Sequence, residues 1–346
     1  MNKIIEEDLN FIISQNQDWE RFRNKNIFIS GATGFLPAYL IQTLLFLNDK
    51  SDLNLKVTGL ARNESKAKEK YASYLKRKDF SLIIQDVCEP VIYNEKVDFI
   101  VHAASQASPK FYGTDPVGTL NANVLGTNNL LHLAKKNNAE SFLFFSTSEV
   151  YGAITEQQIP TKENEYGYLD PVNVRSCYGE SKRLGETMCV SWLHQYNVPV
   201  KIVRPFHTYG PGMDLNDGRV YADFISDIVH NRNIEMKSDG KAERAFCYIS
   251  DATAAFFLLL LNGKNGEAYN AGNPGQEISI ISLAEKLVKM FPEKKLKVIA
   301  KKQTDDSYLR SAVSRNSPDI TKISQLGWNP VTSIEEGFRK TIMSYE

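Results

Sequence analysis

Five residues, Asn26-Ile27-Phe28-Ile29-Ser30, run without a break into Gly31-Ala32-Thr33-Gly34-Phe35-Leu36-Pro37. A short apolar run ending at a glycine reads as a buried strand. Leu40, Ile41, Leu44, Leu45 and Leu47 follow at helical spacing. A strand that turns through Gly-x-x-Gly into a helix gathers free backbone N–H groups and the positive end of the helix dipole at one point. Such a turn receives a pyrophosphate, because the glycines let the backbone come close to it. Pro37 stands where a third glycine is often found. The first helical turn tolerates it, since the N–H it lacks would have no partner there.

The rest of the first half repeats that alternation. Strands are expected at Leu55–Leu60, at Phe80–Ile84 leading to Asp86, at Val97–Val101 leading into His102-Ala103-Ala104-Ser105, and at Ser141–Ser146. Helices are expected over 62–79, where the run Lys66–Lys78 reads as a solvated face, and over 117–137. A helix over 177–196 and a strand at Val200–Val203 continue the series. Strands alternating with helices give a parallel sheet covered on both faces, an α/β Rossmann doubly wound fold. Pro205, Gly210, Pro211, Gly212 and Gly218 mark loops of a smaller, mixed C-terminal lobe for substrate. The expected division is a helical extension over 1–25, a dinucleotide domain over 26–204, and a substrate lobe over 205–346 with some segments returning to the main domain. Leu9, Ile12, Ile13 and Trp19 form the apolar face of the extension.

Charge excludes some classes of partner. Lys and Arg number 41 against 41 Asp and Glu, so no dominant positive field is available to hold nucleic acid. Cys88, Cys177, Cys189 and Cys247 are widely spaced, with no CxxC pair to suggest a metal site. The amino end lacks a signal-peptide core, and the longest apolar stretch, Ala252–Leu261, is about half a membrane span. A cytoplasmic protein with free thiols and no membrane partner is expected.

Two further patterns carry chemistry. Tyr178 and Lys182 lie four residues apart on an expected helix, hence on one face. An ammonium beside a phenol favours the phenolate, which can accept a proton from a sugar hydroxyl while hydride leaves the same carbon for a nicotinamide. Upstream, Ser146-Thr147-Ser148-Glu149-Val150-Tyr151-Gly152 closes a buried strand, where sheets of this class present ligand-facing groups. Thr147 is placed to bond the same hydroxyl and Glu149 to handle a second proton. The second strand ends Gly59-Leu60-Ala61-Arg62-Asn63, with no acid for the adenosine ribose. NAD is the first expectation, and Arg62 leaves NADP open.

Together with Arg175-Ser-Cys-Tyr178-Gly-Glu-Ser-Lys182-Arg183, Asn216-Asp217-Gly218-Arg219-Val220 and Arg244-Ala-Phe-Cys-Tyr-Ile-Ser-Asp251, these motifs resemble the extended short-chain dehydrogenase/reductase group. That group holds nucleotide-sugar epimerases, dehydratases and decarboxylases, and the resemblance is greatest to the UDP-glucuronate decarboxylases. It spans about residues 25–340. The resemblance implies that Thr147, Tyr178 and Lys182 run the redox step, with Ser148, Glu149 and Arg244 at the C5/C6 end of the sugar. It implies that Gly31, Thr33, Gly34, Phe35 and Leu36 cradle the cofactor pyrophosphate, above a loop of Ala103, Ala104 and Ser105. Asp86 and Val87 match an adenine contact, and Asn123 a structural asparagine near the cofactor. Ser105, Thr147, His207, Arg219 and Arg244 match substrate-facing positions, with Arg219 at the nucleotide. His207 departs from the asparagine usual there. The resemblance further implies a homodimer built through a four-helix bundle from helices 117–137 and 177–196.

Oxidation at C4 of a nucleotide hexose opens three outcomes. A decarboxylase loses carbon dioxide, a 4,6-dehydratase expels water from C6, and a 4-epimerase returns hydride to the other face. Dehydratases of the group typically carry an Asp-Glu pair after the threonine, the Asp serving as general acid. Ser148-Glu149 stands there instead. With Arg244 as a partner for a sugar carboxylate, decarboxylation is the preferred expectation, ahead of epimerisation and then dehydration. A family member that binds nucleotide sugar without turnover is the remote alternative.

Overall fold

The computed structural model describes residues 2–300 and 314–346. Residues 301–313, part of the lobe expected over 205–346, lie outside the described residues. The chain opens with helix α1 (Lys3–Ser14), strand β1 (Asn26–Ser30), α2 (Phe35–Ser51), β2 (Lys56–Ala61), the short α3 (Glu64–Lys70), β3 (Phe80–Ile84) and β4 (Phe99–His102). Next come the short α4 (Lys110–Thr114), α5 (Pro116–Asn137), β5 (Ser141–Phe145), α6 (Ser176–Tyr196) and β6 (Val200–Pro205). Then β7 (His207–Tyr209), α7 (Val220–Val229), β8 (Ile234–Met236), β9 (Glu243–Tyr248), α8 (Ile249–Asn262) and β10 (Ala268–Ala271) follow. The last elements are β11 (Glu277–Ser279), α9 (Ile280–Met290), β12 (Val298–Ala300), β13 (Arg315–Asn316), α10 (Thr321–Ser324) and α11 (Ile334–Met343).

Seven strands form one parallel sheet in the order β10-β6-β5-β4-β1-β2-β3. Its inner strands are buried along their length, because helices cover both faces and leave no side for water. The strand order reverses between β1 and β4, and ligands of such sheets bind outside the carboxyl ends at that reversal. Small sheets of β7, β9, β11 and β13, and of β8 with β12, stand above those ends. Among the described residues, no helix is long and apolar enough to cross a membrane.

Two local devices fix the site's frame. A Cβ on Gly185 would stand 2.5 Å from Phe144 Cζ, so only glycine lets α6 lie this close to β5. Arg204 of β6, 1% exposed, forks onto Glu186 of α6 at 2.8 and 2.6 Å and also donates to the Tyr151 hydroxyl at 3.0 Å. Strand end and helix are thereby held together beside the cleft.

The expected elements appear with two differences. The helix expected over 62–79 stops at Lys70. Arg77 is drawn into ion pairs with Asp49 and Asp79, both at 2.7 Å, and the chain runs in turns back to β3. The extension is α1 followed by a single 3-10 turn, Trp19–Phe22. Leu9 and Ile12 are fully buried against the body, and Asp8 accepts hydrogen bonds from the hydroxyls of Tyr39 and Tyr248 at 3.0 and 2.9 Å.

Candidate active site

A cleft of about 1880 Å³ runs along the carboxyl ends of the sheet. Single small-ligand pockets occupy roughly 300–1,000 Å³, so this one has room for two nucleotide-sized groups. One half is built on the glycine turn. Gly31 has φ +71°, and a Cβ there would meet Ala104 Cα at 2.7 Å. The turn and the β4 loop therefore touch backbone to backbone. Ser30 Oγ, buried beneath them, accepts from the N–H groups of Ala103 and Ala104 at 3.2 and 3.1 Å and fixes that loop. Gly34 caps α2 with no side chain in the way of its first N–H groups. Ser105 Oγ is buried in the same wall without a hydrogen-bond partner. A glycine cradle, an open helix start and an orphaned hydroxyl fit a dinucleotide pyrophosphate.

The other half is built on the end of β5 and the start of α6. Thr147 accepts from the Glu149 N–H at 3.2 Å, and its hydrogen bond to the Tyr178 phenol favours the ionised phenol. Burial outweighs that and pushes Tyr178 up to about 12. Lys182, also buried, is pushed down to about 7 by loss of solvent, and its ammonium donates to the Phe145 carbonyl at 2.6 Å. Activation of Tyr178 by Lys182, expected from their spacing, is therefore not visible here. The lysine stands 5.9 Å from the phenol ring centroid and is tethered to backbone, while Thr147 and then Arg219 oppose the effect of burial.

Beside Tyr178 lies a charged cluster. Arg175, one residue before α6, donates to Glu149 Oε2 at 3.1 Å. Its Nε is buried without a partner. Tyr112 stacks on Tyr178 at 5.1 Å and 17°. Arg219 is paired with Asp217 and donates to the Ala107 carbonyl at 2.9 Å. Arg244 on β9 donates to the carbonyls of Glu243 and Ser314 at 2.7 and 3.1 Å. His207 on β7 has its Nδ1 buried with no partner. Burial and then the charges of Arg244 and Arg219 hold its imidazole neutral, well below the usual histidine range.

Almost every residue singled out in the sequence lines this one cleft: Gly31, Thr33, Gly34, Phe35, Leu36, Arg62, Asp86, Val87, Ala103, Ala104, Ser105, Thr147, Ser148, Glu149, Tyr178, Lys182, His207, Arg219 and Arg244. Asn123 does not. It is fully buried between α5 and α6, where its Nδ2 donates to Ser181 Oγ at 2.9 Å. It supports the helix that carries Tyr178 and Lys182 instead of meeting a cofactor. Arg175, Tyr112 and Asn316 line the cleft and have no role in the sequence reading, and Lys66 and Lys70, expected on a solvated face, border it as well. Arg175 could have been found from its place in the motif that holds Tyr178. Tyr112 and Asn316 sit on short segments with no periodic signal.

Residues 27–272 match the NAD dependent epimerase/dehydratase family. UDP-glucuronic acid decarboxylase 5 of Arabidopsis thaliana is 35% identical over 316 residues, covering 91% of this chain and 87% of that protein. UDP-glucuronic acid decarboxylase 1 of Xenopus tropicalis is 37% identical over 322 residues, covering 92% and 71%. The crystal structure of UDP-glucuronic acid 4-epimerase from Bacillus cereus, solved with UDP-glucuronic acid and NAD, superposes with a TM-score of 0.74 at 23% identity. It covers 92% of this chain and 98% of its own, and shows the shared fold.

Proposed function

The chain belongs to the NAD dependent epimerase/dehydratase family, and from that premise we propose that it decarboxylates a UDP-hexuronate by transient oxidation at C4. The observation that carries this reading is the Glu149–Arg175 pair beside Tyr178, with Arg244 lining the same cleft. Cations at this end suit a sugar whose C6 is a carboxylate. A dehydratase would need a carboxylic acid at Ser148 to protonate a departing hydroxyl, and serine is too weak an acid for that. The two decarboxylases reported above support the same choice of reaction and nucleotide.

When bound, the nicotinamide ring supplies the acceptor, and later the donor, of a hydride. The residues do the rest. Tyr178, acting as the phenolate that its hydrogen bond to Thr147 and the charge of Arg219 favour against burial, takes the O4 proton as hydride leaves C4, and Thr147 orients that hydroxyl. The C4 ketone then makes the C6 carboxylate part of a β-keto acid. Its C5–C6 bond breaks, carbon dioxide leaves, and the electron pair moves into the C4 carbonyl as an enolate. Glu149 guides a proton from water onto C5, which turns the enolate back into the C4 ketone, and Tyr178 returns its proton to O4 as C4 regains its hydride. Arg219 and His207 hold the nucleotide side of the substrate.

A panel of UDP-, dTDP-, GDP- and CDP-sugars followed by mass spectrometry tests this. Loss of about 44 mass units from UDP-glucuronate is expected; an unchanged mass or a loss of about 18 would refute it. We place the cofactor largely on residues 26–204 and the sugar nucleotide largely on 205–346. We also propose a homodimer: α5 exposes Val117, Leu120 and Leu125 and α6 exposes Leu184, apolar side chains that a four-helix bundle with a second copy would cover. A monomer by light scattering would refute it. Four unpaired cysteines support a cytoplasmic placement.

A further inference from the structure

We propose that Asn316 is a positioning residue for the C6 end of the sugar: it turns the Ser148 hydroxyl toward the substrate, which favours a C6 carboxylate over a hydroxymethyl group. The inference rests on the hexuronate reading and names a residue that enforces it from 168 positions further along the chain. Strand β13 is placed from two sides. It runs parallel to β9, with Arg315 opposite Glu243 and Asn316 opposite Arg244. Beyond it, the Thr161 N–H donates to the Ser317 carbonyl and the Asp319 N–H to the Thr161 carbonyl, both at 2.9 Å. The buried Asn270 pins that junction, its Nδ2 donating to the carbonyls of Thr161 and Asp319 at 2.8 and 2.9 Å. Successive side chains of a strand point to opposite faces. Arg315 turns to Glu277, with Nη2 3.0 Å from Oε2. Asn316 turns the other way and lines the cleft together with Arg244.

There its Nδ2 donates to Ser148 Oγ at 3.4 Å. That is long for a hydrogen bond, so the contact contributes direction more than energy. A hydroxyl that accepts on one side keeps its own hydrogen to donate. Among the described residues none accepts that hydrogen, and Ser148 lines the cleft, so the donor faces the substrate. With Arg244 on the neighbouring strand, the C6 end of the sugar then meets a hydroxyl donor and a guanidinium. A carboxylate takes both through two charged oxygens. A hydroxymethyl group has one uncharged oxygen, and its own hydrogen needs an acceptor. An aspartate at position 316 would reverse this arrangement. It would accept the Ser148 hydrogen and set a second negative charge against the sugar carboxylate.

Isothermal titration tests this on the NAD-loaded protein in the Tyr178→Phe background, where no turnover intervenes. The probes are UDP, UDP-glucose and UDP-glucuronate, and the readout is the ratio of affinities for the two sugars. Asn316→Asp should lower the preference for UDP-glucuronate about tenfold or more, the worth of one charge-assisted hydrogen bond, with UDP bound as before. Asn316→Ala should lower it severalfold, and should change nothing further once Ser148→Ala is present, because the amide acts through that hydroxyl. A preference indifferent to both Asn316 substitutions would overturn the proposal and leave the hexuronate reading standing. So would an Asn316→Ala effect of equal size without the serine, or a loss of UDP binding in Asn316→Asp, which would mark a merely structural role. Binding of UDP-glucose as tightly as UDP-glucuronate with Asn316 in place would overturn both.

Discussion

Replacing Arg175 with methionine separates the two halves of the proposed reaction. The guanidinium reaches Glu149 Oε2 at 3.1 Å, and the two side chains are 20% and 29% exposed. An exposed pair contributes about 0–1 kcal/mol, whereas removing one partner of a fully buried pair costs about 3–5 kcal/mol. This half-buried pair falls between, at about 2 kcal/mol of restraint on the Glu149 carboxylate. If that restraint is spent holding Glu149 at the C5/C6 end of the sugar, its loss slows carbon dioxide release about 30-fold. Oxidation at C4 runs through Tyr178 and Thr147, which Arg175 does not hydrogen-bond, and should change less than about threefold. Rapid-scan absorbance at the reduced-nicotinamide band resolves the phases: a fast rise near the wild-type rate, then a delayed decay. Arg175→Lys keeps the charge but not the fork, so it should recover the second phase only in part. Equal slowing of both phases would show that Arg175 merely supports the fold around Tyr178. No slowing of either would show that the ion pair does not position Glu149.

Other consequences follow from the same geometry. Tyr178→Phe should lower the rate of C4 oxidation by about 10²–10⁴ with an unchanged melting temperature, and single-turnover absorbance checks it. Gly31→Ala forces a Cβ to 2.7 Å from Ala104 Cα at a positive φ, so it should cost about 2 kcal/mol or more and weaken dinucleotide binding, as read by thermal melting and titration. Burial lifts Asp8 from 3.8 to about 6, so between pH 4 and 6 the native state keeps a proton that the unfolded chain has released. Stability should therefore fall as pH rises through that window, by roughly 2–3 kcal/mol, and level off above it. Asp8→Asn should flatten that slope in denaturant melts; an unchanged slope would contradict the assignment.

What could be read from the sequence, and what could not, divides along the range of the interactions. Strand β1, the glycine turn and α2 form a local sentence: burial on both faces, φ +71° at Gly31 and an open helix start are all dictated within a dozen residues. Tyr178 and Lys182 share a helix face for the same local reason. The helix expected over 62–79 fails because its end is decided from outside. Arg77 finds Asp49 on α2, and the Tyr71 hydroxyl finds the Ala32 carbonyl at 2.6 Å. Lys66 stays exposed as expected, whereas Lys70 is half-buried where α3 meets the glycine turn, and both border the cleft. Periodicity cannot report such a change, because it sees which side of a helix is polar and not what the polar side meets. The state of Tyr178 is non-local in the same way. Spacing places an ammonium near a phenol, but burial of both, and the Phe145 carbonyl that holds Lys182, decide how much the one acts on the other. The chemistry of this cleft is therefore written in local motifs, and its tuning in contacts between segments far apart in the chain.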